Sequence, residues 1–207
     1  YKGFYDCIDA AMFNVTDITN DSRSSHLAYS SSSNFNISKG AISFMVKPNF
    51  DPRTPQNFTS VMFSSLFPGI YTNSMQIFFV GNDTITVLFV DKDMNPFVAV
   101  TDTKRWHTNE WRNIGFTWDL NTGSGRYMYM TIDGQDAYLL PAYPDNWNDP
   151  IDINETYGYF VIGAAYNNVG FSNQTNGSID DFKIYNNTKS FEQLYKNSIN
   201  DYDIFYR

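Results

Sequence analysis

The sequence contains very little cysteine and histidine, and both scarcities exclude particular kinds of site. Its single cysteine, Cys7, cannot form a disulfide within the chain. The two histidines, His26 and His107, lie far apart, and there is no Gly-x-Ser-x-Gly segment, Cys/His cluster or glycine-rich phosphate loop. We therefore expect no hydrolase triad, zinc centre or phosphate-binding loop. No apolar run approaches the roughly 20 residues that cross a bilayer, so we expect no membrane span.

Glutamate is also scarce. Glycosidases commonly flank the scissile bond with two carboxylates, and alternate residues of one strand can supply them. The sequence has only Glu110, Glu155 and Glu192, and none has an acidic residue two positions away. The pair Asp91 and Asp93 has that spacing, but it lies in a predicted turn. We expect the protein not to be an enzyme and assign no catalytic residues.

Positive charge is too sparse for a nucleic-acid partner. Lys and Arg number 14 against 22 Asp and Glu, which gives a formal charge of −8 without a basic cluster. Hydrophobic residues make up 42% and charged residues 17% of the chain, enough apolar material for a core. The 18 Phe, 15 Tyr and 4 Trp are an unusually large aromatic content, which favours strands.

Short runs with the alternation of half-buried strands are separated by turn residues. The clearest is residues 40–47, and Asp133-Gly134 predicts a tight hairpin because both residues tolerate positive φ. Residues 190–197 instead have helical spacing. Similar strand-like runs are residues 60–67, 75–80, 84–90, 96–101, 111–118, 126–132, 157–163 and 178–185. We expect one core layer to contain Trp111, Ile114, Phe116 and Trp118. The pattern predicts an all-β antiparallel sandwich with one short C-terminal helix.

Nine Asn-x-Ser/Thr sequons indicate in which cellular compartment the protein is found. With 23 Asn and 34 Ser and Thr in 207 residues, chance gives roughly four. We interpret the excess as N-glycosylation of an extracellular or cell-surface protein, the alternative being an Asn-rich composition that creates sequons without function. The predicted glycosylation sites are Asn14, Asn20, Asn36, Asn57, Asn82, Asn154, Asn173, Asn176 and Asn186.

Three ordered segments resemble the laminin G-like branch of the concanavalin A-like lectin/glucanase superfamily. Residues 34–48 resemble the family's "f-t-i-S-f-W-v-K-p" strand, with Met45 where Trp is usual. Residues 109–119 and 127–134 resemble "W-h-h-v-a-f-t-w-d…l-Y-v-D-G". The third segment comprises residues 160–163, 176–186 and 190–194. The resemblance covers about residues 26–196 and implies a jelly-roll sandwich. We expect one domain, residues 1–207, with aromatic extensions at 1–25 and 198–207.

The family fold hosts lectins and adhesion modules, so sugar and calcium sites are both considered. Flat aromatics beside Asn and Asp suit saccharides, and the predicted ligand-binding residues are Tyr143, Asp145, Asn146, Trp147 and Tyr166. The alternative is that Trp147 packs as a lid on the sandwich. In such domains a motif acid is sometimes a calcium ligand, so a structural calcium ion at Asp180 is the one cofactor considered. We interpret Asp91-x-Asp93-x-Asn95 as a polar turn, because Pro96 stands where a calcium-binding loop has glycine.

Two non-enzymatic functions remain open. The first is extracellular recognition or adhesion, with a carbohydrate or glycoprotein ligand. The second is a structural glycoprotein that assembles head-to-tail from copies of itself into a filament or coat. The structural function is suggested by the aromatic ends of the chain, residues 1–7 and 202–207. We hypothesise that these ends contact another copy of the chain, and Cys7 would suit an interchain bond. The alternative is that both ends pair as edge strands of their own domain.

Overall fold

The computed structural model describes residues 11–13, 26–30, 35–54, 59–67, 70–80, 84–102, 106–121, 127–143, 151–153, 159–167, 170–172 and 175–194. Its strands are β1 Ala11–Phe13, β2 Leu27–Ser30, β3 Lys39–Pro48, β4 Ser60–Phe67, β5 Ile70–Val80, β6 Thr84–Val90, β7 Pro96–Asp102, β8 Arg112–Asp119, β9 Tyr127–Ile132, β10 Gln135–Asp136, β11 Leu140–Tyr143, β12 Tyr159–Ile162, β13 Ala165–Asn167, β14 Gly170–Ser172 and β15 Gly177–Tyr185. Residues 191–194 are helical and form α1.

The strands form two antiparallel sheets packed face to face. The six-stranded sheet has the order β1-β15-β3-β8-β9-β10, and the seven-stranded sheet has the order β11-β7-β6-β5-β4-β12-β2. A separate hairpin joins β13 to β14. Strands far apart in sequence are therefore neighbours in both sheets, as in a jelly roll. The predicted antiparallel sandwich with a short C-terminal helix is confirmed.

The core lies between the sheets and follows the two-residue period of the strands. In β6, Ile85, Val87 and Phe89 are buried and belong to the core cluster. Because successive side chains of a strand point to opposite faces, Leu88 lies on the face away from the core. The predicted core residues Ile114, Phe116 and Trp118 are fully buried on β8.

The predicted core layer needs one correction, at Trp111. It is only partly buried and does not belong to the core cluster. Strand parity explains this result, since an odd-numbered residue before β8 faces away from the even-numbered Ile114, Phe116 and Trp118. The predicted layer was wrong for this one residue, which lies on the outer face of the six-stranded sheet.

The hairpin and turn predictions are confirmed. Asp133 and Gly134 have φ of 50° and 70° and connect β9 to β10. Asp91 is buried, and its carboxylate Oδ1 accepts the backbone N–H groups of Asp93 and Asn95, each at 2.8 Å. Its Oδ2 accepts the side-chain amide of Asn95 at 2.9 Å. This carboxylate therefore organises a polar turn, as its sequence context indicates.

The N-terminal extension contributes one strand to the domain. Within residues 1–25, β1 pairs with β15, placing Ala11 opposite Ile179. The remaining residues of both predicted extensions, including Cys7, lie outside the described residues. In the part of the chain that the structure describes, no helix is long and apolar enough to cross a membrane.

Candidate functional site

One half of the outer face of the six-stranded sheet is covered by the segment that follows β15. Residues 186–194, here called the C-terminal strap, cross the sheet above β8 and β9. Lys189 N donates to Thr117 Oγ1 at 3.2 Å, and Phe191 stacks on Tyr129 with ring centroids 6.4 Å apart. Leu194 is fully buried against Gly115, where an added Cβ would lie 3.3 Å from the leucine side chain. The strap therefore closes this half of the face to a ligand.

The other half carries an indole ring beside an ammonium group. Val46 pairs with Arg112, so Lys47 and Trp111 are opposite each other one step further along the ladder. Lys47 Nζ lies 5.2 Å from the centroid of the Trp111 ring, and both side chains are partly exposed. Met45 and Asp180 pair across β3 and β15 on the same face and are also partly exposed. We call Met45, Lys47, Trp111 and Asp180 the Trp111 platform.

The platform is held in place by the turn that precedes β8. Trp106 is buried and packs edge-on against Phe79, with ring centroids 5.1 Å apart. Its Nε1–H donates to the carbonyl oxygen of Glu110 at 2.9 Å. Asn109, whose φ is 60°, donates its N–H to the carbonyl oxygen of Pro48 at 2.9 Å. The backbone on either side of Trp111 is thus anchored to the core and to the end of β3.

Two carboxylates beside the platform are occupied by one guanidinium group. Arg112 Nη2 lies 2.8 Å from Glu110 Oε2, and Arg112 Nη1 lies 2.5 Å from Asp133 Oδ2. The backbone N–H of His107, followed by Arg112, lowers the pKa of Glu110. Burial alone would lower the pKa of Arg112, but Asp133 and Glu110 raise it overall. Glu110 is consequently held ionised, and the Arg112 guanidinium joins it to Asp133 in one structural network.

Asp180 lies at a bulge in β15. Its Oδ1 accepts the backbone N–H of Asp181 at 2.7 Å, and Asp181 has a positive φ of 47°. The register of β15 against β3 shifts between Asp180 and Lys183, and Asp181 Oδ2 lies 2.7 Å from Lys183 Nζ. Among the described residues, no group of three or more His, Cys, Asp or Glu side chains could hold a metal ion. Calcium at Asp180 stays a prediction.

The predicted sugar-binding loop residues are only partly described. Tyr143 ends β11 and pairs with Val98, whereas Tyr166 pairs with Phe171 in the β13–β14 hairpin. Asp145, Asn146 and Trp147 lie outside the described residues. The hairpin lies against β4, and three strands separate β4 from β11. β4 and β11 are therefore four strand spacings apart, which at about 4.8 Å each is roughly 19 Å. The sheet itself does not bring Tyr143 and Tyr166 together.

Three of the nine predicted glycosylation sites are described, and all three lie at strand ends. Asn36 precedes β3, Asn176 directly precedes β15, and Asn186 directly follows it. Asn36 Oδ1 accepts the hydroxyl of Ser38, its own sequon serine, at 2.8 Å. Asn14, Asn20, Asn57, Asn82, Asn154 and Asn173 lie outside the described residues.

The structure adds Trp111 and Lys47 to the residues that the sequence suggested. The signal that identifies them is parity: Trp111 and Lys47 both have the outward parity of their strands. Their proximity depends on the β3–β8 register, which a sequence motif does not specify.

The comparison with solved structures shows the fold. The receptor-binding domain of botulinum neurotoxin D has a TM-score of 0.59 at 16% identity over 87% of this chain. The Ruminococcus gnavus IT-sialidase CBM40 bound to α2,3-sialyllactose has a TM-score of 0.57 at 10% identity over 78% of this chain and 83% of its own. Leech intramolecular trans-sialidase, complexed with 2,7-anhydro-Neu5Ac, has a TM-score of 0.56 at 14% identity over 78% of this chain.

This chain spans 43% of the solved receptor-binding domain of botulinum neurotoxin D and 23% of the solved leech enzyme. No curated protein matches the sequence significantly. The laminin G-like family described as "Concanavalin A-like lectin/glucanases superfamily" matches residues 21–194, most of the chain. The chain therefore belongs to the concanavalin A-like lectin/glucanases superfamily.

Proposed function

We propose that this protein is a non-catalytic extracellular recognition module that binds carbohydrate, free or on a glycoprotein, at the Trp111 platform. The observation that carries the proposal is a partly exposed indole with an ammonium group 5.2 Å from its centroid, on the half of the outer sheet face that the C-terminal strap does not cross. Asp180 adds a carboxylate on the same face.

The chemistry of the platform matches that of a pyranose. A pyranose ring has an apolar C–H face that stacks on an aromatic ring, and hydroxyls that need donors and acceptors at its edge. Trp111 supplies the ring, Lys47 supplies up to three N–H donors, and Asp180 supplies acceptor oxygens. An exposed cation–π contact is worth about 0.5–1 kcal/mol, so Lys47 can leave the ring at small cost and bond to a hydroxyl.

A structural neighbour supports carbohydrate as the ligand class. The R. gnavus CBM40, which covers the same sandwich, is bound to sialyllactose in its solved structure. Its 10% identity carries no residue-level correspondence. The choice of the platform therefore rests on this chain's own residues.

A non-catalytic role is supported by the electrostatics beside the platform. A glycosidase acid needs a raised pKa and a second carboxylate facing it across the bond. Glu110 instead has a lowered pKa and an ion pair with Arg112. We expect no turnover of β-glucans or other polysaccharides. Hydrolysis that disappears in Glu110→Gln or Glu155→Gln would contradict this expectation.

The test of the platform is glycan binding by matched aromatic variants. The wild-type protein, Trp111→Ala and Tyr138→Ala are applied to an immobilised glycan array, and hits are titrated by calorimetry. Tyr138 is the matched control, because this aromatic residue is 73% exposed on the β10–β11 connection. We expect Trp111→Ala to weaken binding at least about tenfold, or about 1.4 kcal/mol, and Tyr138→Ala to leave it unchanged.

The melting temperature of each variant shows whether the fold is intact. Lys47→Gln should weaken binding less than Trp111→Ala, since it removes donors but keeps the ring. Equal binding by wild type and a folded Trp111→Ala variant would exclude the platform as the site. No binding to any glycan by the wild-type protein and by its Asn176→Gln variant would exclude the carbohydrate-recognition function.

A further inference from the structure

A predicted glycosylation site lies beside the Trp111 platform, at the same end of the same sheet. Gly177 pairs with Pro48 and Ser178 pairs with Lys47. The ladder continues one residue further, because Asn49 N–H donates to the carbonyl oxygen of Asn176 at 3.0 Å. Asn176 therefore lies in a bend directly before β15, two residues from Ser178, the partner of Lys47.

The attachment point is fixed and close. The backbone N–H of Asn176 donates to Ser60 Oγ at 3.1 Å, so hydrogen bonds on both sides hold this residue. From β15 across β3 to β8 there are two strand spacings, about 10 Å in total. The partly exposed Asn176 side chain can thus carry a glycan whose first sugars reach Trp111.

We propose that an N-glycan on Asn176 folds back over the Trp111 platform and occupies it, so that modification of this sequon controls access to the site. The inference rests on the proposed carbohydrate-recognition function and on glycosylation of Asn176. A sugar tethered this closely has an effective concentration of the order of millimolar. A platform with millimolar affinity for a single saccharide would therefore be substantially occupied by its own glycan.

The opposite end of β15 provides a matched control. Asn186 directly follows Tyr185, which pairs with Ala41, and it begins the C-terminal strap. Ten residues separate the two sequon asparagines, 186 minus 176, which is about 30 Å of strand. A glycan on Asn186 thus starts far from Trp111, although it is attached next to the same strand.

The experiment compares the full chain, secreted from glycosylating cells, with its Asn176→Gln and Asn186→Gln variants. Glycopeptide mass spectrometry first establishes whether Asn176 carries sugar, separately from the neighbouring Asn173. Acrylamide quenching of tryptophan fluorescence then reports exposure of the indole. The same measurement in a Trp111→Phe background assigns the change to Trp111.

We expect Asn176→Gln to increase quenching and to strengthen binding to the array-selected glycan several-fold, with neither change in Asn186→Gln. Trimming the folded wild-type protein with an endoglycosidase that leaves the first sugar should also increase quenching. Because this experiment needs no mutation, it tests the inference even if the Asn176→Gln variant fails to fold. Absence of sugar on Asn176, or equal quenching in both Gln variants, would overturn the inference. If quenching increases in Asn176→Gln but no variant binds any glycan, the result would support occupation of the platform by the Asn176 glycan and would refute the recognition function.

Discussion

At the scale of single residues, Gly177 shows how tightly β15 approaches β3. A Cβ added there would lie 2.4 Å from the carbonyl oxygen of Lys47 and 3.0 Å from Pro48 Cα. Backbone cannot move aside as a flexible side chain can, so we expect Gly177→Ala to cost about 1–3 kcal/mol of stability. Denaturant unfolding measures this loss, and an unchanged midpoint would show that the two strands separate easily.

Glu110 gives a prediction about acid stability. Its pKa is lowered from 4.5, so its stabilising contribution is complete above the unfolded pKa and is lost as pH falls through the folded pKa. Its side chain is 41% exposed, so screening limits the contribution to about 0.5 kcal/mol. The stability difference between wild type and Glu110→Gln should stay constant from pH 7 to about 5 and shrink below about 4.5. A difference that grows on acidification would contradict the assigned network.

The same residues show what sequence reasoning can reach. The turn at Asp133 and Gly134 was predictable, because glycine and a positive φ have local causes. Placement of Trp111 in the core was wrong, although parity alone contains the answer. The network around Arg112 was not predictable, since Asp133 reaches it through the β8–β9 register.

At the scale of elements, the C-terminal strap depends on Leu194. This side chain is fully buried over Gly115, whereas Phe191 in the same helical turn is 41% exposed. We expect Leu194→Ala to cost about 2–4 kcal/mol and Phe191→Ala distinctly less. Chemical unfolding of both variants tests this ranking. Similar losses would mean that the stack of Phe191 on Tyr129 holds the strap instead.

Most of the longer strands were predictable, whereas the first half of β5, residues 70–74, and the shortest strands were not. β4 and β6 have the predicted bounds, because seven or eight residues with a clear pattern specify a strand locally. β10 and β14 have two and three residues and exist because a neighbouring strand pairs with them. β11 is also short, with four residues from Leu140 to Tyr143, and it pairs with β7.

At the scale of the whole molecule, the described sequons lie at the ends of the sandwich. Ala41 pairs with Tyr185, so Asn36 and Asn186 lie at one end of the six-stranded sheet, while Asn176 lies at the other. Glycans at these positions would project from the ends of the strands. Of the three described sequons, only Asn176 lies at the Lys47 end of the sheet, so we expect its glycan, rather than those on Asn36 and Asn186, to affect the platform.

The total glycan load is the corresponding prediction for the whole molecule. Since the described sequons are in loops or bends that an oligosaccharide can leave without crossing the core, we expect a majority of the nine to carry sugar. The intact mass of secreted protein should exceed the polypeptide mass of 23.8 kDa by several N-glycans and return close to it after enzymatic deglycosylation. A secreted mass near 23.8 kDa before deglycosylation would show that the sequon excess reflects an Asn-rich composition. It would also remove the tethered sugar from the platform, leaving Trp111 and Lys47 open to a ligand from outside the chain.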